Sequence, residues 1–492
     1  MRDLKKYYRI IWKNLQKKKV FYKYFEKKHL YKDSSIATQK LLQFLKKNKI
    51  SKKVILTFSN KSFEMYSSIY PILISGNIWV PLSINLPLEK IKNVVEQTQP
   101  FICFYDHQDK KIIDYLKQKV PCLRFKNILA KKYKKIISIK NEIDKLDIKS
   151  TAFIYFTSGS TGKPKGIKVS HKNIISDIFS QKKNIYKNNV KNLVFADYYD
   201  TAFSIFFDIF FPAIYFGSTI VPSLSRADNF YLLDHYHKNK INTLVAVPST
   251  FNRIKETLIR ENKILSGKTL ILTGEPFYLN LLKFLYKKVK FTNIFNCYGG
   301  TEMGNWVFCH KCSVSDLTKY KEENMVPIGK PFSSVVAKID KKELVVSGPM
   351  ISDGYTEKKF NIKKFIFNKN NTFRTGDKVK KIGTTFLCKG RLDNMVKISG
   401  YRIEVPDVEA NFRKLSYIKD VIVFEKKRKN YNNYLVAVLS TISILKKELQ
   451  IRKDLTKYLS RYMIPRKIHI VKNLQKNSNG KLDRSGISKR YS

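Results

Sequence analysis

The chain has 492 residues, 43% of them hydrophobic, and carries a formal net charge of +56. Such a length can bury more than one core, so two domains of unequal size are expected. The lysines are spread along the whole chain and no groove-reading motif accompanies them, so the charge does not make nucleic acid a partner. No apolar run of membrane-spanning length lacks charge. The nearest, residues 203–221, carries Asp208 and Pro212 and reads as a buried helix followed by a strand. The lysine-studded start has no apolar signal core, and six scattered cysteines suit a reducing compartment, so the expected location is the cytoplasm. Cys309-His-Lys-Cys312 is a lone CxxC without the second pair that zinc would need.

In chain order, residues 36–45 read as helix, Val54–Phe58 as strand, Phe63–Ile74 as helix, 88–97 as helix and 101–105 as strand. The lysine-rich stretch 131–149 reads as a surface excursion. The apolar run 152–156 then feeds Tyr155-Phe-Thr-Ser-Gly-Ser-Thr-Gly-Lys-Pro-Lys-Gly-Ile-Lys-Val-Ser-His171. Glycines let a backbone approach a polyphosphate, hydroxyls and amides donate to its oxygens, and lysines supply charge. It is not a P-loop: Gly159 and Gly162 stand too close, and Pro164 follows Lys163 where Ser or Thr would hold magnesium. Strand-like segments continue at 193–196, 219–221, 243–247 and 269–272, an alternation that predicts parallel sheets covered by helices. Near Gly390 the pattern changes to a compact α+β module with strands at 421–424 and 434–439 and a helix over 446–459.

Further motifs follow: Asn296-Cys-Tyr-Gly-Gly-Thr-Glu302, Arg374-Thr-Gly-Asp377, Gly390-Arg-Leu-Asp-Asn-Met-Val-Lys-Ile-Ser-Gly-Tyr-Arg-Ile-Glu404 and Asn479-Gly-Lys-Leu-Asp-Arg484. In this order and spacing they resemble the adenylate-forming (AMP-binding) superfamily from about Ile36 to the C-terminus. The tail, Tyr462-Met-Ile-Pro-Arg466 and the Asn-Gly-Lys motif, is most similar to amino-acid adenylation domains and D-alanine–carrier protein ligases. The resemblance implies an α/β fold. A large layered N-terminal domain with parallel sheets (1–390) would precede a small mobile α+β domain (391–492) that turns about a hinge at Asp393.

By the same resemblance, ATP and Mg2+ are the cofactors. Lys481 is the catalytic lysine, Thr301 contacts phosphate, and Glu302 coordinates the metal. Thr157, Ser158, Gly159, Ser160, Thr161, Gly162 and Lys165 line the pyrophosphate path. Gly274, Asn296 and Tyr298 frame the adenine, Asp377 holds the ribose hydroxyls, and Arg391 reaches ribose or phosphate. Ile271, Thr273, Cys297, Asn305 and Trp306 line the acyl pocket; a bulky Trp306 beside Asn305 fits a short, partly polar acid. Gly300 stands where adenylation domains usually have proline, and Gly304 where they often have threonine. Tyr199-Asp200 looks like the motif whose aspartate grips a substrate ammonium, yet an ungapped reading back from Asp208-Ile-Phe-Phe-Pro212 puts Phe203 there.

The implied reaction activates a small carboxylic acid, an amino acid by the Asp200 reading, as acyl-AMP. The chain ends soon after Lys481, so the acceptor thiol is expected in trans, on a phosphopantetheinyl carrier protein. Coenzyme A with a short or aryl acid is the alternative, and a non-catalytic binding member of the family is the second.

Overall fold

The computed structural model describes residues 4–131, 136–157, 164–362, 364–367, 371–392, 395–428, 432–442, 448–475 and 482–491. Two large sheets carry the N-terminal part. One runs Cys122–Arg124, Ile102–Tyr105, Val54–Phe58, Ile78–Leu82, Thr151–Thr157, Lys165–Ser170, parallel until its antiparallel last pair. The other is parallel from Val289–Gly300 through Leu265–Thr273, Thr243–Ala246, Val194–Asp197 and Thr219–Pro222 to Val20–Tyr24, with antiparallel strands at both edges. Strands covered on both faces need near-continuous apolar runs, and Ile55, Leu56, Phe58, Leu270, Ile271 and Leu272 are fully buried. No helix among the described residues is long and apolar enough to cross a membrane. The apolar stretch that came nearest is the helix Ser204–Phe216 followed by the strand Thr219–Pro222.

One expectation changes. The stretch 131–149 is not wholly a surface excursion, because the helix Ile139–Lys145 buries Ile139 and Ile143, four residues apart on one face. The basic N-terminus likewise folds into the body of the protein. Its helix Lys6–Leu15 buries Tyr7, Tyr8, Ile11 and Leu15, and Asn14 Nδ2 donates to the Ile214 and Tyr215 carbonyls. Those carbonyls belong to the last turn of Ser204–Phe216, where the amides of a further turn are missing and Gly217 reaches back only as far as Ile214.

Tyr8 also reaches His171, its hydroxyl 2.5 Å from Nδ1 in a fully buried contact, and His171 Nε2 has no partner among the described residues. Burial pushes this imidazole down to about 3 from 6.5. The unfolded chain therefore takes up a proton near pH 6.5 that the folded protein refuses until about pH 3. Stability from this group is full above pH 6.5 and falls as the pH drops. The urea midpoint is expected to fall between pH 6.5 and 5, and to fall less steeply in His171→Gln. Equal slopes in the two proteins would exonerate the histidine.

Beyond a five-stranded antiparallel sheet built around Thr372–Ile382, the C-terminal part has its own core. The sheet Ile418–Lys426, Tyr434–Thr441, Lys467–Ile470 buries Val421, Val423 and Leu435 on one face, and Ile422, Val436 and Val438 on the other. Alternation along the strands produces this two-faced pattern. The hairpin Met395–Ile398 and Tyr401–Glu404 projects from this unit toward the N-terminal sheets. A buried ion pair, Lys90 Nζ to Asp407 Oδ2 at 3.1 Å, joins the helix Leu88–Thr98 to the helix Val405–Phe412.

Candidate active site

The strands Leu265–Thr273 and Val289–Gly300 end side by side, Thr273 opposite Cys297. Their following turns open where parallel sheets bind ligands. Gly274 adopts φ +81°, a left-handed conformation that favours glycine. At Gly299 a Cβ would lie 1.4 Å from the Asn305 carbonyl oxygen, so only glycine lets the strand Asn305–Lys311 fold back so closely.

Two cavities meet at these turns, and a third adjoins one of them. One, of about 510 Å3, is lined by Gly274, Asn296, Cys297, Tyr298, Asp377 and Arg391. A central cavity of about 120 Å3 shares Gly274, Asp377 and Arg391 with it and adds Thr157, Thr301, Glu302 and Trp306. An outer cavity of about 760 Å3 is lined by Ser83, Asp200, Arg226 and Arg461, and shares Phe203, Tyr401 and Tyr462 with the central one. Tyr401 and Tyr462 stack at 3.9 Å with planes 9° apart, and Phe203 lies 5.2 Å from Tyr401, so three aromatic rings stand between the two spaces.

The antiparallel pairing of Thr372–Ile382 with Thr385–Arg391 sets Asp377 directly opposite Arg391. Arg391 Nη1 donates to Asp377 Oδ1 at 3.0 Å and to the Thr375 carbonyl at 2.7 Å. The Tyr298 hydroxyl donates to Asp377 Oδ2 at 2.5 Å. Burial and the neighbouring Asp377 push the Tyr298 phenol far up, so it remains a donor. A buried carboxylate so held can accept from a vicinal diol while keeping its orientation. Asn296 lines the same cavity, but its Nδ2 is committed to the Val326 and Pro327 carbonyls, so it holds the adjoining loop in place.

Glu302 is 1% exposed. Its Oε1 accepts from Arg402 Nη1 at 2.7 Å and from the Tyr355 hydroxyl at 2.8 Å. Burial alone would raise this carboxyl, but the Arg402 charge and the donors outweigh it and hold it below the usual range. The hairpin of the C-terminal unit thus supplies the counter-charge to an acid of the N-terminal part.

The expected acyl pocket is only partly assembled as the sequence had it. Thr273, Asn305 and Trp306 line the central cavity, and Trp306 Nε1 donates to Thr273 Oγ1 at 3.0 Å. Ile271 does not line it. It faces the same way as Thr273 but lies two residues deeper in the strand, within the core. Cys297 faces the 510 Å3 cavity instead, because it sits on the next strand beside Tyr298. Asp200 lies in the outer cavity, where Ser83 Oγ donates to its Oδ2 at 2.5 Å and the Ala202 amide to its Oδ1 at 3.0 Å. Lys165 pairs in register with Thr157 and lies 4.8 Å over the Phe360 ring, and burial depresses its ammonium. Ser158, Gly159, Ser160, Thr161, Gly162, Asp393 and Lys481 lie outside the described residues.

Four residues of the site carried no assignment from sequence: Tyr355, Arg402, Asp208 and Glu275. Glu275 accepts from the Ser249 amide and hydroxyl and, through Oε1 at 2.7 Å, from the Gly400 amide, pinning the tip of the hairpin. Its place directly after Gly274 and that of Arg402 inside a quoted motif were the available signals.

A clamped carboxylate able to accept from a diol, a cavity of about 510 Å3 beside it and a buried acid at the sheet ends, covered by a C-terminal unit, match an adenylate-forming type of site. The chain belongs to the AMP-binding enzyme family, whose sequence profile matches residues 12–356. Among its relatives is a D-alanine–D-alanyl carrier protein ligase of Lactococcus lactis, 25% identical over 94% of this chain and 94% of that protein. The Listeria monocytogenes ligase of the same name is 27% identical over 95% of each chain. Among solved structures, the Vibrio cholerae adenylation domain AlmE, in complex with glycyl-adenosine-5'-phosphate, superposes with a TM-score of 0.82. The identity is 18%, over 99% of this chain and 97% of that one. The o-succinylbenzoate CoA synthetase of Bacillus subtilis gives 0.81 at 19% identity, over 98% of each. At these identities the structural likeness speaks for the fold.

Proposed function

We propose that the protein is an acid–thiol ligase. It activates a small carboxylic acid with ATP as acyl-AMP, releasing pyrophosphate, and passes the acyl group to the phosphopantetheine thiol of a separate carrier protein. The observation that carries this reading is the clamp of Tyr298 and Arg391 on Asp377, set in the same cleft as buried Glu302. The carrier-protein ligases among the relatives support the choice of acceptor. Asp377 holds the ribose, Tyr298 and Gly274 frame the adenine, Arg391 and Thr301 face the phosphates, and Thr157 and Lys165 border the pyrophosphate path. Lys481 serves the adenylation step.

Glu302 suits a magnesium ion, since Oε2 accepts no hydrogen bond from a described residue and hard cations favour carboxylate and phosphate oxygens. When bound, the ion neutralises phosphate charge. The division at 390/391 with a hinge at Asp393 fits the separate C-terminal core, and the arrangement described, with Arg402 on Glu302, is the one we assign to thiol transfer. The cytoplasm, where ATP is at hand, is the proposed location. Arg226 and Arg461 beside the outer cavity favour coenzyme A as the second reading, because its phosphates would meet both.

Acid-dependent exchange of pyrophosphate into ATP, over amino, hydroxy, aryl and short-chain acids, tests the first step. Exchange with at least one small acid is expected; silence across the panel would overturn the reading. Offering the same acyl-adenylate to a holo carrier protein and to coenzyme A separates the two acceptors.

A further inference from the structure

The helix Ser204–Phe216 walls the central cavity, and Asp208 is the one carboxylate in its sequence, SIFFDIFFPAIYF. Asp208 is 1% exposed and lines the cavity together with Thr273, Asn305 and Trp306. Gln181 Nε2 donates to its Oδ1 at 2.9 Å and to Asp177 Oδ2 at 2.8 Å, so one amide bridges two buried acids. Among the described residues no cationic side chain pairs with either.

The surroundings are rich in polar atoms that lack a partner. Among the described residues the Tyr155 hydroxyl, on a side chain 2% exposed that lines the same cavity, has no partner, nor do the Tyr186 hydroxyl, Asp177 Oδ1 and Gln181 Oε1. Buried polar groups are nearly always hydrogen-bonded, so this cluster calls for an incoming donor, and two acids call for a cation. Burial holds both carboxyls well above the usual range, and a cation brought against Asp208 favours its ionised form. The other titratable groups facing Asp208 are Tyr155, Tyr186 and Cys297, all pushed up by burial and neutral.

Depth decides which cation fits. Phe203 and Ser204, at the start of the helix, offer no carboxylate, and both oxygens of Asp200 are already engaged. Asp208 lies one turn further along, about 6 Å beyond Ser204 on the helix axis. A substrate whose carboxylate meets the nucleotide side near Glu302 would reach Asp208 only with a group carried further out.

We propose that Asp208, backed by Asp177 through Gln181, anchors a protonated amino group placed at the β-carbon of the acid or beyond. This rests on the ligase reading and narrows its substrate to small ω-amino acids.

The test uses the full chain with β-alanine and 4-aminobutyrate, their isosteres butyrate and pentanoate, and glycine and alanine. Pyrophosphate exchange with the two ω-amino acids is expected to exceed that with their isosteres by about a hundredfold or more, the scale on which a site built for a polar group rejects its analogue. Asp208→Asn should reduce that preference to a few-fold. The acids alone should raise the wild-type Tm and leave that of Asp208→Asn unmoved. Exchange confined to α-amino or unaminated acids in the wild type, whatever the variant does, would overturn the anchor and leave the ligase standing. An unchanged preference in folded Asp208→Asn would overturn it as well. Thermal stabilisation by the ω-amino acids without any exchange would uphold the anchor and sink the ligase reading.

Discussion

Lys481→Ala is expected to lower acid-dependent pyrophosphate exchange by about a hundredfold or more, the scale of losing one prepositioned electrostatic group. Adenylation concentrates negative charge on phosphoryl oxygens, and no covalent nucleophile shares the load, so a fixed cation between carboxylate and phosphate carries much of the rate. Transfer of the acyl group from supplied acyl-adenylate to the thiol should survive in the same variant, because in the proposed mechanism that step follows rotation of the C-terminal unit. Wild-type exchange by the variant would remove Lys481 from the mechanism. Equal loss of both steps would point to a damaged fold.

Arg402→Ala should produce the opposite split. In the arrangement described, Arg402 is the counter-charge of a carboxylate that is 1% exposed, and among the described side chains Tyr355 would be left as its hydrogen-bond donor. Removing one member of a buried pair costs about 3–5 kcal/mol. That cost falls only on the state in which the hairpin sits in the cleft. Thioester formation in single turnover should fall by at least about tenfold, since each 1.4 kcal/mol is a factor of ten. Pyrophosphate exchange should stay within a few-fold of wild type. An Arg402→Ala enzyme that transfers normally but adenylates poorly would reverse our assignment of this arrangement.

The residues we assign to the nucleotide were legible because they cluster in short motifs at strand ends. Asp377 and Arg391 stand in separate quoted motifs, and the hairpin register that sets them face to face needed only the antiparallel pairing. Wall residues were harder. Thr273 and Ile271 share a face of one strand, and which of them meets open space depends on where that strand leaves the sheet. Contacts between distant segments were invisible: Glu302 with Arg402, Asp208 with Asp177, and Asn14 with the end of a helix at Tyr215. Each joins elements whose docking is set by the whole core. The N-terminal helix was passed over because its lysines mask an apolar face of Tyr7, Tyr8 and Ile11.

Lys90 and Asp407 clasp the two units of the chain at the edge of the outer cavity. In the rotation we propose, both charges are rewetted each time the halves part and stripped of water each time they rejoin. Because the pair is buried, dissolved salt screens it far less than it would a surface contact. The tempo of the proposed swing is then written partly into a dry ion pair, and should hold steady across ionic strengths that loosen the grip on a carrier protein.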